Sequence, residues 1–100
     1  MNPITIVFEE AENRSIACAD GVQIGECAFR VSDGAWVIEH TGVRPAYGGQ
    51  GIARRLVEKV IEEARARKLR IIPLCSYAKK LMTDSEAYSD VLVTTQPPAS

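Results

Sequence analysis

The stretch VRPAYGGQGIARRLVEKVIEEARA, residues 43–66, decides how the rest of the chain is interpreted. Its first half contains Gly48, Gly49 and Gly51, and from Ile52 onward apolar residues recur every three to four positions. This period predicts an amphipathic helix over about residues 50–68. The first turn of that helix carries two arginines, at positions 54 and 55, which the positive end of the helix dipole disfavours.

A glycine-rich loop that opens a helix can bind an anion. Glycines let successive backbone N–H groups point at a ligand with no Cβ in between, and the helix start adds free N–H donors. A phosphate there would also supply the negative charge that Arg54 and Arg55 lack. The loop therefore predicts a phosphate site, with a turn that merely lets the helix pack as the alternative.

Positive charge is concentrated in the same region. The chain has a net charge of −1, yet residues 44–70 contain eight Lys and Arg against three Glu, which leaves +5 there and −6 elsewhere. This distribution favours an anionic partner, with a solvated basic helix face as the alternative. We do not expect nucleic-acid binding, because no aromatic residues are interleaved with the cations and the rest of the chain is acidic.

Length and composition predict one globular domain, which we place at residues 1–93. The polar, proline-rich residues 94–100 are expected to form a disordered tail. No apolar run approaches the roughly 20 residues of a membrane span, and no signal peptide is recognised. Three widely spaced cysteines predict reduced thiols in a cytoplasmic protein, and a single histidine argues against a metal site.

The remaining segments predict an α+β fold with a mixed sheet. Four strand-like segments precede the helix, at residues 3–8, 12–20, 22–31 and 35–43, with turn signals at Asp20-Gly21 and at the SDG of residues 32–34. They predict an antiparallel meander of four strands. The apolar run LRIIPLC predicts a parallel fifth strand, and SYAKKLM a short second helix. The glycine loop then lies at the carboxyl end of strand four, where α/β units bind ligands.

The loop differs from two known phosphate-binding motifs. The dinucleotide fingerprint and the nucleotide P-loop both fail, because neither the third glycine nor a Gly-Lys-Ser/Thr sequence is present. The meander followed by YGGQGIARRLVEKVIEEAR instead resembles the Gcn5-related N-acetyltransferase superfamily, whose signature is Q/R-x-x-G-x-G/A. More narrowly, EHTGVRPAYGGQGIARRLV and LRIIPLCSYAKKLM resemble its small single-domain members with a P-L-C-S-Y motif. The resemblance covers about residues 4–92.

The resemblance implies acetyl-CoA as cosubstrate, with its pyrophosphate on the loop and its pantetheine arm between splayed strands four and five. Gly51 and Ala53 match the G-x-G/A of the signature. Gly48 stands where the signature has Gln or Arg, so we expect it to offer only its backbone N–H. The predicted cofactor-binding residues are Val43, Gly48, Gly49, Gln50, Gly51, Ile52, Ala53, Arg54 and Arg55.

Three side chains are candidates for catalysis. Cys75 falls at the start of the second helix, a position that lowers a thiol pKa, so its thiolate could accept the acetyl group; a buried core cysteine is the alternative. Tyr77, preferred to Tyr88, corresponds to the superfamily tyrosine that protonates the departing thiolate, with a packed aromatic residue as the alternative. His40 could serve as base or bind substrate, or be structural. Where small members commonly read H-T-E-V, this chain has Gly42, so an acidic base is missing.

The predicted function is transfer of an acetyl group from acetyl-CoA to an amine of unknown identity. The alternative is a non-catalytic acyl-CoA-binding or protein-interaction module on the same fold. We expect Cys18, Cys27, Phe29 and Trp36 to be core residues.

Overall fold

The computed structural model describes residues 3–93, which form one five-stranded sheet and two α-helices. The strands are β1 (Ile4–Glu9), β2 (Arg14–Ala19), β3 (Val22–Ser32), β4 (Ala35–Val43) and β5 (Arg70–Pro73). The helices are α1 (Ile52–Ala66) and α2 (Ser76–Thr83), and short 3-10 turns lie at Glu10–Glu12, Pro45–Tyr47 and Glu86–Tyr88. The strands lie in chain order, antiparallel from β1 to β4 and parallel between β4 and β5. The predicted α+β fold is confirmed.

Two Asp-Gly pairs make the hairpin turns of the meander. Asp20 and Gly21 have φ angles of 52° and 77°, and Asp33 and Gly34 have 50° and 77°. Two consecutive left-handed residues are what a tight hairpin turn requires, and Asp followed by Gly adopts them at low cost. Both predicted turns are therefore confirmed.

Helix α1 packs across one face of the sheet through its apolar stripe. Six of its residues are buried: Ile52, Leu56, Val57, Val60, Ile61 and Ala64. The hydroxyl of buried Ser15 donates to the Leu56 carbonyl at 2.8 Å and so ties β2 to the helix. On the same face Phe29 and Trp36 stack with ring centroids 4.2 Å apart. The predicted helix and its burial are confirmed, although the helix is shorter at each end than the pattern suggested.

Alternation along β2 and β3 separates the two cysteines that we expected in the core. Cys27 pairs with Ser15 on the α1 face and is fully buried. Cys18 projects from the other face of the sheet, which we call the outer face, and it is partly exposed. The core prediction is confirmed for Cys27, as it is for Phe29 and Trp36, and it is wrong for Cys18. Neighbouring residues of a strand face opposite sides, and Ala17 and Ala19 occupy the helix side.

Strand β5 pairs along its whole length with the first half of β4. Their register runs from Ala35–Arg70 to Ile38–Pro73, and the N–H groups of Leu74 and Cys75 both donate to the Ile38 carbonyl at 3.0 Å. Strand β4 then continues to Val43, whereas the segment that follows β5 turns into α2. The strands therefore diverge, and the last part of β4 has an open edge beside the start of α2.

Two irregularities in strand pairing were not predicted. The β3–β4 register moves from Ala28–His40 to Phe29–Ile38, which leaves Glu39 unmatched, and a second shift leaves Ile24 of β3 unmatched. Each extra residue changes which side chains share a face and bends the strand locally. The bulge at Glu39 lies where β4 leaves β5.

The chain after α2 returns to the sheet. The N–H of Ile71 donates to the Val91 carbonyl at 2.7 Å, and the N–H of Val93 donates to Ile71 at 2.8 Å. Arg65 of α1 holds the preceding turn through Asp90 at 2.7 Å. The predicted tail at residues 94–100 lies outside the described residues. Within residues 3–93, no helix is long and apolar enough to cross a membrane.

Candidate functional site

The glycine loop and the end of β4 enclose a cavity of about 230 Å³. Six of the predicted cofactor-binding residues line it together with Tyr77, one of the predicted catalytic residues. The lining residues are Val43, Tyr47, Gly48, Gly49, Gly51, Ile52, Ala53 and Tyr77. Tyr47 was not singled out from the sequence, although its aromatic ring just before the glycines was a usable signal. Gln50, Arg54 and Arg55 are not part of this lining.

Two of the loop glycines are favoured by their backbone angles, and not by a lack of space for a side chain. Gly49 and Gly51 have φ angles of +76° and +75°, and a Cβ added to either would meet no atom within 4 Å. Gly51 is the residue preceding α1, where no side chain caps the helix. The first helical bond runs from the N–H of Arg55 to Gly51, so the N–H groups of residues 52–54 have no partner within the helix. The loop therefore presents free donors next to open space.

Gly48 has a different role from the one expected. Its N–H donates to the Pro45 carbonyl at 3.0 Å, closing the short turn at Pro45–Tyr47. A Cβ at this position would lie 3.3 Å from the same carbonyl oxygen. The N–H that we expected to serve a phosphate is thus already used by the turn.

The two arginines at the helix start both have partners within the chain. Arg54 Nε lies 3.2 Å from Glu58 Oε2, and the Glu58 carboxylate raises the pKa of that guanidinium. Arg55 points away from the glycine cavity and donates to the Ile4 carbonyl at 3.3 Å. A bound anion is therefore not needed to balance the charge of Arg54, although it could still add to it. The anion-binding interpretation now rests on the free N–H groups instead.

Cys75 occupies the residue before α2, as the sequence predicted. Burial raises the pKa of its thiol, but backbone N–H groups at the helix start, from Ala78 and Tyr77, lower it. The hydroxyl of Thr41 lowers it further, and the net pKa lies below the ordinary value of a thiol. Cys75 is partly exposed beside the open edge of β4, so its thiolate form is favoured in an accessible place.

Thr41 joins Cys75 to the core. Its Oγ1 accepts from Cys75 Sγ at 3.6 Å and donates to Cys27 Sγ at 3.5 Å. The sequence reasoning missed this residue, because strict alternation from Ile38 would put it on the outer face, and only the bulge at Glu39 brings it to the same face as both cysteines. Burial raises the pKa of Cys27 to about 11, so that thiol stays protonated.

The other candidates lie elsewhere. His40 projects from the outer face with 62% of its side chain exposed, and its Nε2 lies 3.9 Å from Glu26 Oε2. The structure therefore does not bring it into the glycine cavity. Tyr88 is buried, with its hydroxyl donating to Glu58 at 2.8 Å, which agrees with the preference for Tyr77. Within the described part of the chain, no three His, Cys, Asp or Glu side chains are grouped to hold a metal.

Comparison with known proteins defines the class. Residues 10–91 match the family model described as GCN5-related N-acetyl-transferase. A GCN5-like protein from Staphylococcus aureus has the same fold with a TM-score of 0.74 and 31% sequence identity, over 99% of this chain and 97% of that one. The chain therefore belongs to the GCN5-related N-acetyltransferase family, as the resemblance predicted. No protein of curated function matches its sequence.

More distant structures share the fold. The ribosomal-protein-S18-alanine N-acetyltransferase from Escherichia coli has a TM-score of 0.63 at 17% identity, over 87% of this chain and 77% of that one. N-acetylglutamate synthase from Neisseria gonorrhoeae, solved with coenzyme A and N-acetyl-glutamate, has a TM-score of 0.61 at 20% identity. That match covers 79% of this chain but only 21% of the synthase.

Proposed function

We propose that this protein transfers an acetyl group from acetyl-CoA to a primary amine. One observation carries the proposal: β4 diverges from β5 between a cavity with free helix N–H donors and a thiol of lowered pKa. Family membership supports acetyl transfer in general. The N-acetylglutamate synthase that shares the fold was solved with coenzyme A, which supports an acyl-CoA as donor.

Different parts of the site bind the pyrophosphate, the pantetheine arm and the thioester of acetyl-CoA. The N–H groups at the start of α1 bind the pyrophosphate, since helix N-termini favour anions and the glycines admit it closely. The pantetheine arm follows the open edge of β4, whose backbone groups beyond Ile38 face no strand on the β5 side. The thioester then reaches the start of α2, where Tyr77 is 41% exposed and donates a proton to the departing sulfur.

Cys75 opens a second route to the same product. Its thiolate would attack the thioester carbonyl, forming a new C–S bond while the bond to the CoA sulfur breaks. The CoA thiolate takes a proton, and the amine then displaces the Cys75 sulfur. Incubation with acetyl-CoA followed by peptide mass measurement separates the routes, because only the relay leaves an acetyl group on the peptide that contains Cys75.

The glycine cavity is tested by calorimetric titration with CoA. Gly51→Asp adds a negative charge and a Cβ where the phosphate lies, so affinity should fall at least tenfold, about 1.4 kcal/mol. Gly34→Asp is the matched control, since Gly34 has φ of +77° and open space around it but lies in the β3–β4 turn. Equal affinities for the two variants would remove the loop from the binding site.

A non-catalytic acyl-CoA-binding or protein-interaction module is the second candidate, because Gly42 leaves position 42 without the expected carboxylate. CoA binding without acetylation of any amine would support that candidate. We also propose a cytoplasmic location, which three free cysteines favour.

A further inference from the structure

The outer face carries a pair of residues that the acetyl-CoA site does not use. Glu26 of β3 and Gly42 of β4 are direct register partners, so they share a face of the sheet. A Cβ at Gly42 would lie 3.1 Å from Nε2 and 3.2 Å from Cε1 of His40. The imidazole therefore lies over Gly42, in the space that a side chain there would take, and it points toward Glu26.

Glu26 is held in place from the opposite side. Its Oε1 accepts from Arg14 Nη1 at 3.0 Å, and Arg14 Nε is in turn 2.6 Å from Glu9. The other oxygen, Oε2, faces His40 Nε2 at 3.9 Å. The carboxylate is thus oriented by an arginine and directs one oxygen to the imidazole, with room for a ligand N–H at that oxygen.

Glu26 and His40 both face a second cavity, of about 570 Å³. The cavity is lined by Gln23, Ile24, Gly25, Glu26, His40, Gly42, Val43 and Arg44. Val43 also lines the glycine cavity, so the two cavities meet at the end of β4 where its edge is open. A group held by Glu26 and His40 therefore lies beside the last part of β4, whose open edge is the path assigned to the thioester.

We propose that Glu26 and His40 form the acceptor site, which binds a primary ammonium group and deprotonates it. This rests on the function proposed above. Glu26 attracts the cation, and His40 takes one proton from it to give the neutral amine. The amine nitrogen attacks the acetyl carbonyl, a C–N bond forms and the C–S bond breaks. The leaving sulfur takes the second proton from Tyr77, which regains it from the nitrogen, and His40 returns its proton to water.

The proposal makes activity depend on the protonation of His40. Charged groups near the imidazole are Glu26 from β3, Arg14 behind it from β2, and Arg44 after β4. Because a protonated imidazole cannot accept a proton, kcat/KM should fall as the pH is lowered. His40→Asn should lower kcat/KM at least tenfold and abolish this fall.

The test uses the full chain and two probes, Nα-acetyl-lysine amide for a side-chain amine and alanyl-alanine amide for an N-terminal amine. Glu26→Gln should raise the KM for the amine at least fivefold and leave CoA affinity unchanged. Glu39→Gln is the matched control, because Glu39 is a neighbouring carboxylate of β4 that pairs with Arg30 at 2.8 Å. Whichever probe is acetylated faster identifies the kind of amine.

A direct binding measurement tests the acceptor site separately from the proposed acetyl transfer. In the CoA-loaded protein, a probe should shift the NMR signals of the His40 imidazole, and Glu26→Gln should remove the shift. No shift with either probe, or equal kinetics for Glu26→Gln and Glu39→Gln, overturns the acceptor site even when acetyl-CoA is bound and used. Gly42→Glu gives a further check: it displaces the imidazole and should lower activity, whereas a rise would show that the carboxylate belongs at position 42.

Discussion

The hydroxyl of Thr41 lies between the thiols of Cys27 and Cys75, whose pKa values are shifted in opposite directions. Burial raises the pKa of Cys27 to about 11, whereas the start of α2 and Thr41 bring the pKa of Cys75 below its ordinary value. When Cys75 loses its proton, the threonine hydroxyl can rotate and donate to the sulfur, since a hydroxyl both donates and accepts. Thr41 is therefore the side chain that favours the Cys75 thiolate.

Thr41→Val should slow the alkylation of Cys75. The variant loses a donor to the thiolate, so the pKa of Cys75 rises, and less thiolate is present at any pH below that value. We expect the pH–rate profile for iodoacetamide, read by peptide mass, to move to higher pH. Thr41→Ser, which keeps the hydroxyl, should behave like the wild type.

Thr5→Val serves as the control for the same change on an exposed strand position. An unchanged profile for Thr41→Val would show that the helix start alone sets the acidity of Cys75. Faster labelling of Cys27 than of Cys75 would contradict the assignment of the reactive thiol.

At the scale of elements, α1 is held on the sheet by its apolar stripe and by one buried polar contact. Ser15 is fully buried, and its bond to the Leu56 carbonyl at 2.8 Å connects β2 to the second turn of the helix. This contact fixes how far along the sheet the helix begins. The position of the glycine cavity depends on that placement, because the cavity is formed by the first residues of α1.

Ser15→Ala should lower the free energy of unfolding by about 1 kcal/mol, the net contribution typical of one such hydrogen bond. Urea denaturation measures it, with Ser32→Ala at the partly buried end of β3 as the control. CoA affinity should fall in the same variant if the contact positions the helix start. A variant as stable as the wild type would mean that the apolar stripe alone places α1.

At the scale of the whole molecule, the charge of the basic helix is partly neutralised by its own surroundings. Five ion pairs link four cations of the helix and its C-terminal cap to carboxylates of α1 or of neighbouring segments: Arg54–Glu58, Lys59–Glu63, Arg65–Asp90, Arg67–Glu10 and Arg67–Glu63. Only two of these carboxylates, Glu10 and Asp90, come from outside residues 44–70, so they reduce the local charge excess from +5 to +3. Phosphate-led binding of nucleic acid needs cations that are available to the phosphates.

We predict no micromolar binding to DNA or RNA at physiological salt. Fluorescence anisotropy with a single-stranded and a double-stranded oligonucleotide measures this, and weak binding at low salt should vanish as salt is added. Strong binding that persists at physiological salt and weakens steeply above it would contradict the prediction.

Much of the fold follows from local patterns. The apolar period of α1, the two Asp-Gly turns and the run that forms β5 each depend on neighbouring residues, so the mixed sheet could be predicted. The same holds for Gly49 and Gly51, because a positive φ at a helix start favours glycine, and for Cys75 at the start of α2.

The tertiary structure alone decided which groups meet at the site. Whether the N–H of Gly48 is free, where Arg55 points and which face Cys18 occupies all depend on contacts with distant segments. Glu26, Gly42 and His40 come together only through strand register and the bulge at Glu39. A shift of one residue in register exchanges the faces of a strand, and nothing in the local sequence specifies that shift. The sequence by itself therefore determined the elements and the glycine loop, and the register of the sheet determined the two cavities.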